Sequence, residues 1–154
     1  MTQATALRVQ AFTTGDVAAQ CSATPGWVQQ YQQMSPGHFA GQVRYLDLQG
    51  VEVYEERMNT RIEQNFNAPK GSLAFCFDGS DNALYLLNGE SRNTWITPEN
   101  YREVAVVFGP QFVQRHGLDV EKLEGLFMAP LTCQQNALFS RWLSGTLTRL
   151  SSVI

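Results

Sequence analysis

The chain has 154 residues, of which 44% are hydrophobic and 16% charged. That is enough for one domain with its own core, and it excludes a disordered tail. The net charge is −3, the only lysines are Lys70 and Lys122, and basic residues are scattered, which argues against this chain gripping phosphate backbones by itself.

Residues 7–13 read as a short strand. The stretch "TGDVAAQC" reads as a brief helix capped by Thr14 or Asp16, with Pro25-Gly26 ending it. "WVQQYQQM" reads as a strand entering the Ser35-Pro36-Gly37 turn. "FAGQVRYLDL" and "VEVYEERMN" flank Gln49-Gly50 as a hairpin, and "SLAFCFDG" is a strand running into a polar turn. "ALYLLNGESRNTWI" reads as a second hairpin, because Asn88-Gly89 favours a type I′ turn. The Thr97-Pro98-Glu99-Asn100 turn leads to the last strand, "EVAVVFG". Many short antiparallel strands at this spacing predict a barrel or jelly roll.

After Phe108 the pattern becomes helical. Pro110 stands at a first helical position and Gly117 closes that helix. Asp119 caps a second, which Pro130 ends, and Thr132-Cys133-Gln134-Gln135 fits a capping box opening a third. Phe139, Leu143, Leu147, Leu150 and Ile154 recur on one helical stripe, widened by Leu138 and Trp142. The expected fold is mainly β with C-terminal α: a barrel or jelly roll over residues 1–109, then about three helices over 110–154. No apolar run approaches a membrane span, and "MTQATALRVQAFTTGD" lacks the order of a signal peptide. The expectation is a cytoplasmic protein with no membrane partner.

The chemistry-bearing residues are sparse. A barrel metal site needs several imidazoles from neighbouring strands, yet only His38 and His116 occur, with no His-x-His pair. No metal and no cofactor are expected, and His38 reads as a turn residue. Cys21, Cys76 and Cys133 form neither a zinc motif nor a disulfide framework, and Cys76 reads as a buried strand residue. No nucleophile elbow and no phosphate loop occur, so no catalytic residue is assigned. Glu55 and Glu56 are adjacent on a strand, face opposite sides and read as a solvated run.

What remains is a set of strand aromatics: Tyr45, Tyr54, Phe75, Phe77, Tyr85 and Trp95. They read either as packed core or as walls of a ligand cavity. The polar groups that would orient a ligand are Arg44, Glu56 or Asn59. The candidate ligand-binding set is therefore Arg44, Tyr54, Glu56, Phe75, Phe77, Tyr85 and Trp95. The candidate dimer interface is Phe139, Leu143, Leu147 and Leu150.

The order of segments is itself informative. "FTTGDVAAQC" leads to "WVQQYQQMSPGHFAG", then to a Gly-linked pair of strands ending "VYEERMN". With Trp27, Gln33, Pro36, Gly37, Phe39, Gly41, Glu56 and Asn59 at their positions, this resembles the N-terminal sensor domain of AraC-type transcriptional regulators. "LNGESRNTWITPENYREVAVVFGPQFVQ" resembles the same family's later strands, Pro turn and strand-to-helix exit. The resemblance covers roughly residues 10–150 and is carried by structural rather than catalytic motifs. It implies a cupin-like barrel that binds a small-molecule effector, helices that pair protomers into a homodimer, and no enzymatic activity. It implies contact with DNA only through a C-terminal domain of two helix-turn-helix motifs, for which these 154 residues have no segment. The alternatives are a small cupin-like isomerase or oxygenase, or a dimerisation module without ligand.

Overall fold

The computed structural model describes residues 9–80, 83–90, 92–119, 128–130 and 141. In chain order the elements are β1 (Val9–Thr14), α1 (Val17–Cys21), β2 (Val28–Gln33), β3 (Gly41–Asp47), β4 (Val51–Met58) and β5 (Ile62–Asn67). They continue as β6 (Leu73–Asp78), β7 (Ala83–Asn88), β8 (Asn93–Thr97), β9 (Tyr101–Phe108), α2 (Pro110–Arg115) and β10 (Met128–Pro130). The structure is mainly β, in two antiparallel sheets ordered β1-β3-β4-β9-β6-β7-β10 and β2-β5-β8. Among the described residues no ladder joins one sheet to the other, so the expected barrel is not closed there.

Local sequence explains the elements that were expected. Asp16, not Thr14, caps α1: its Oδ1 accepts from the amides of Ala18 (2.7 Å) and Ala19 (3.3 Å). Thr14 Oγ1 instead accepts from the Asp16 amide. Gln49 and Gly50 both take positive φ (58° and 103°), as the tight β3–β4 hairpin requires. Pro110 opens α2, and Gly117, at φ 60°, follows its end.

Three readings are corrected. The stretch 83–97 is not a hairpin: β7 pairs with β6 and β10 in the large sheet, whereas β8 pairs with β5 in the small one. Gly89 is therefore a corner, and it does not adopt the left-handed conformation. It is glycine because the 69–71 backbone crosses it: a Cβ would stand 2.4 Å from the Pro69 carbonyl oxygen and 2.7 Å from Lys70 Cα. Gly89→Ala is expected to cost about 1–3 kcal/mol, towards the upper end because backbone cannot rotate aside. Calorimetry should read this as a fall of several degrees in Tm. An unchanged Tm would mean that the corner yields.

The second correction is β5, which the sequence reading passed over. Ile62, Gln64 and Phe66 are buried while their neighbours are half-exposed, so a strand alternation exists there with glutamine at its centre. Third, Met128–Pro130, read as a helix end, is a strand paired to β7 (Met128↔Tyr85). The remainder of the two later helices, and Phe139, Leu143, Leu147 and Leu150 with them, lie outside the described residues.

The two sheets pack face to face. Val43, Tyr54, Ala74, Cys76, Leu87, Ala105 and Val107 of the large sheet meet Phe66 of the small one, with Trp27, Tyr45, Tyr85 and Trp95 around them. Toward one end, Met58 and Tyr101 meet Ile62 and Tyr31. The other face of the large sheet carries its own buried cluster of Leu46, Val53, Phe77 and Val104, flanked by Phe75. Strand β4 is thus buried on both faces, which is why its sequence shows no clean alternation. Among the described residues no helix is long and apolar enough to cross a membrane.

Candidate functional site

Period-two geometry on four strands gathers one set of side chains between the sheets. In the β4–β9 ladder, Tyr54 stands opposite Ala105 and Glu56 opposite Glu103. In the β2–β5 ladder, Gln29 stands opposite Phe66 and Tyr31 opposite Gln64. These eight residues, with Thr24 and Trp27 from the α1–β2 connection, line a small half-open cavity of about 30 Å³, room for a water molecule or two. Its apolar wall is aromatic: Trp27 lies 5.9 Å from Phe66 between centroids, and Trp95 backs Phe66 edge-on at 4.9 Å. Tyr45 stacks on Tyr54, and Tyr85 packs at a tilt against Trp95.

The polar part centres on two carboxyl groups. Glu56 is 7% exposed. Tyr31 Oη lies 3.1 Å from each of its oxygens and donates to them. Gln20 Nε2 donates to Oε1 at 3.0 Å and Gln64 Nε2 to Oε2 at 3.4 Å. Burial raises the Glu56 carboxyl above the usual carboxylate range, and these donors pull it part of the way back. Glu103 is pushed up to about 8, first by burial and then by the charge of Glu56 beside it. Tyr101 Oη donates to its Oε2 at 2.6 Å, and the buried Cys76 thiol also bonds to it. The donors therefore favour charge on Glu56, while Glu103 keeps its proton at neutral pH. Trp27 adds an indole N–H that is buried without a partner, a group that native structures rarely leave so.

The nucleophiles nearby are quenched: burial raises the Cys76 thiol well above its ordinary range and raises Cys21 as well. Among the described residues no three His, Cys, Asp or Glu side chains converge on a point where a metal could sit.

The sequence-derived candidates divide by strand parity. Tyr54 and Glu56 line the cavity, while Tyr85 and Trp95 stand behind its aromatic wall. Arg44, Phe75 and Phe77 lie on the opposite face of the large sheet and do not reach it. Phe75 and Phe77 belong to the outer cluster. Arg44 pairs with Glu55, with Nη2 2.8 Å from Oε1, and Arg57 (3.1 Å) and Arg102 (3.0 Å) converge on the same carboxylate. Glu55 and Glu56 do face opposite sides, but neither is solvated: Glu55 is only 1% exposed. Asn59 is also elsewhere. It pins the β2–β3 loop, accepting from the Ala40 amide and donating to the carbonyl of His38, an exposed loop residue.

Trp27, Tyr31, Gln64, Phe66 and Glu103 are not among the ligand-binding residues expected from the sequence, where Trp27 stands only as a motif of the family resemblance. For Tyr31, Gln64 and Phe66 the signal was the alternation of apolar and amide side chains along β2 and β5. For Glu103 no local signal exists, since its partner Glu56 is set by a ladder between strands far apart in the chain. Compared with known proteins, the chain matches no protein family, no curated protein and no solved structure.

Proposed function

We propose that this chain is the small-molecule-sensing domain of a transcriptional regulator of the AraC type, with the effector held between the two sheets. The observation that supports the reading is the gathering of aromatic rings and two buried carboxyl groups around one small cavity between the sheets, which must widen to admit an effector. Cupin-like topology, pairing of protomers through the C-terminal stripe and an attached helix-turn-helix domain belong to the same proposal, and their support is the resemblance in segment order. An effector regulates only if it binds one conformation better than another. Thr24 and Trp27 supply a means, because they belong to the connection between α1 and β2 rather than to a ladder. A ligand touching them favours the arrangement in which that connection closes over the cavity.

Thermal unfolding of the chain against a metabolite panel, with and without chelator, tests this. A ligand at about a hundred times its Kd stabilises the native state by about 2.7 kcal/mol, or roughly 5–10 °C for a domain of this size. A chelator-insensitive rise with one chemical class, lost in Trp27→Ala, is the expected result. Stabilisation that chelator abolishes would overturn the reading in favour of a metal protein.

A further inference from the structure

The face of the large sheet that points away from the cavity concentrates positive charge. Arg44, Arg57 and Arg102 stand on the adjacent strands β3, β4 and β9 and converge on one carboxylate, Glu55. Three guanidinium charges thus meet one negative charge, in a chain whose net charge is −3. Arg57 and Arg102 are direct partners in the β4–β9 register, a placement in which like charges repel. Their donors are only partly used. Arg57 gives Glu55 its Nε and Arg102 its Nη2. Among the described residues, the Nη groups of Arg57 and Nη1 of Arg102 have no acceptor, and Arg102 Nε is buried without one. Both side chains reach solvent, at 51% and 31% exposure. Glu55 holds the two guanidinium groups in place, so their unused donors are ordered before any ligand arrives.

We propose that this face docks an acidic segment of a partner protein, with glutamate or aspartate carboxylates seated on Arg57 and Arg102. The inner side of the same cluster already shows the chemical fit: the two guanidinium groups share a glutamate carboxylate at 3.1 and 3.0 Å. The shape of the surface favours a protein segment over a free anion. Thr13, Gln42, Arg57 and Arg102 occupy successive register positions on β1, β3, β4 and β9. With strands about 4.8 Å apart, this polar row is roughly 14 Å long and lies on an open sheet face. A single anion there meets few donors and stays hydrated. A run of linked carboxylates engages both arginines at once, with Gln42 and Thr13 beside them for its amide groups. Two exposed cations are too few to hold a nucleic-acid backbone. The chain is acidic overall and repels such a segment elsewhere, which fixes where it lands. The surface lies across the sheet from the cavity, so it does not depend on the effector reading.

The test titrates the whole chain into fluorescently labelled hexaglutamate, with labelled hexaglutamine as the uncharged control, and reads anisotropy. The expected result is saturable binding of hexaglutamate alone, weakening as ionic strength rises from about 0.05 M to about 0.3 M. Arg57→Gln, a change at an exposed side chain that leaves the fold intact, lowers the affinity about fivefold, the upper worth of one exposed ion pair. Arg102→Gln lowers it at least as much. Arg92→Gln removes the same charge from the exposed β7–β8 connection and leaves the affinity unchanged. Equal losses in Arg57→Gln and Arg92→Gln would overturn the proposal, because net charge alone would then set the affinity. It is also overturned if hexaglutamate does not bind, or if inorganic phosphate or a short oligonucleotide of equal charge binds as tightly.

Discussion

Glu55→Ala is expected to cost about 3–5 kcal/mol, the scale for removing one partner of a buried ion pair. The Glu55 carboxylate is almost wholly shielded and accepts from Arg44 through both Nε (3.0 Å) and Nη2 (2.8 Å). It also accepts from Arg57 Nε and Arg102 Nη2. Removing it leaves three guanidinium groups repelling one another on a sheet face whose neighbours are Leu46, Val53 and Val104. Arg102 suffers most, since its Nε is already buried without a partner. Arg57 is 51% exposed and can turn to water, so Arg57→Ala is expected to cost less than about 1 kcal/mol. Urea unfolding checks both: the midpoint should fall sharply for Glu55→Ala and barely for Arg57→Ala, with the slope unchanged. A loss below about 1 kcal/mol for Glu55→Ala would show that the cluster is solvated after all.

The second large effect is a stability that declines with pH, and Glu103 is its source. In the unfolded chain a glutamate titrates near about 4.3, whereas in the folded protein Glu103 titrates at about 8. Between these values the folded state binds the extra proton, so the stabilising contribution is complete below the unfolded value. It is lost as pH rises towards 8, at up to about 1.4 kcal/mol per pH unit. Glu56, also raised, acts in the same direction. Glu103→Gln is expected to remove most of the slope and to be more stable than the parent above pH 8. A series of urea midpoints from about pH 5 to about pH 9 reads this directly. Parallel lines for parent and variant would mean that Glu103 ionises as an ordinary surface carboxylate.

The sequence announced most of the strands, because turn chemistry marks their ends. Asp16, Gln49-Gly50 and Gly109-Pro110 each act locally, and each does what its local chemistry requires. The reading failed where the decisive contact is non-local. Asn88-Gly89 carries a hairpin signature, but the crossing of the 69–71 backbone dictates that glycine. "IEQNFN" looks polar, yet Gln64 points inward to meet Glu56, so its strand alternation is hidden by chemistry that only the tertiary structure supplies. The site was half legible for the same reason. Tyr54 and Glu56 have the residue types a pocket wants, and so do Arg44 and Phe75. The difference between them is strand parity on a sheet buried on both faces. The pairing of Glu56 with Glu103 is fixed by ladder register, which no single stretch of sequence carries.

The small sheet has a history that its compactness hides. Between β2 and β5 the chain runs out to lay down β3 and β4, and between β5 and β8 it lays down β6 and β7. None of its three strands has a sequence neighbour to zip against, so each must wait for a long loop to close before it gains a ladder. The large sheet contains two local hairpins, β3–β4 and β6–β7, that can nucleate early. The small sheet is thus assembled late in folding, onto a platform already built. The cavity between the sheets is the seam of that last assembly.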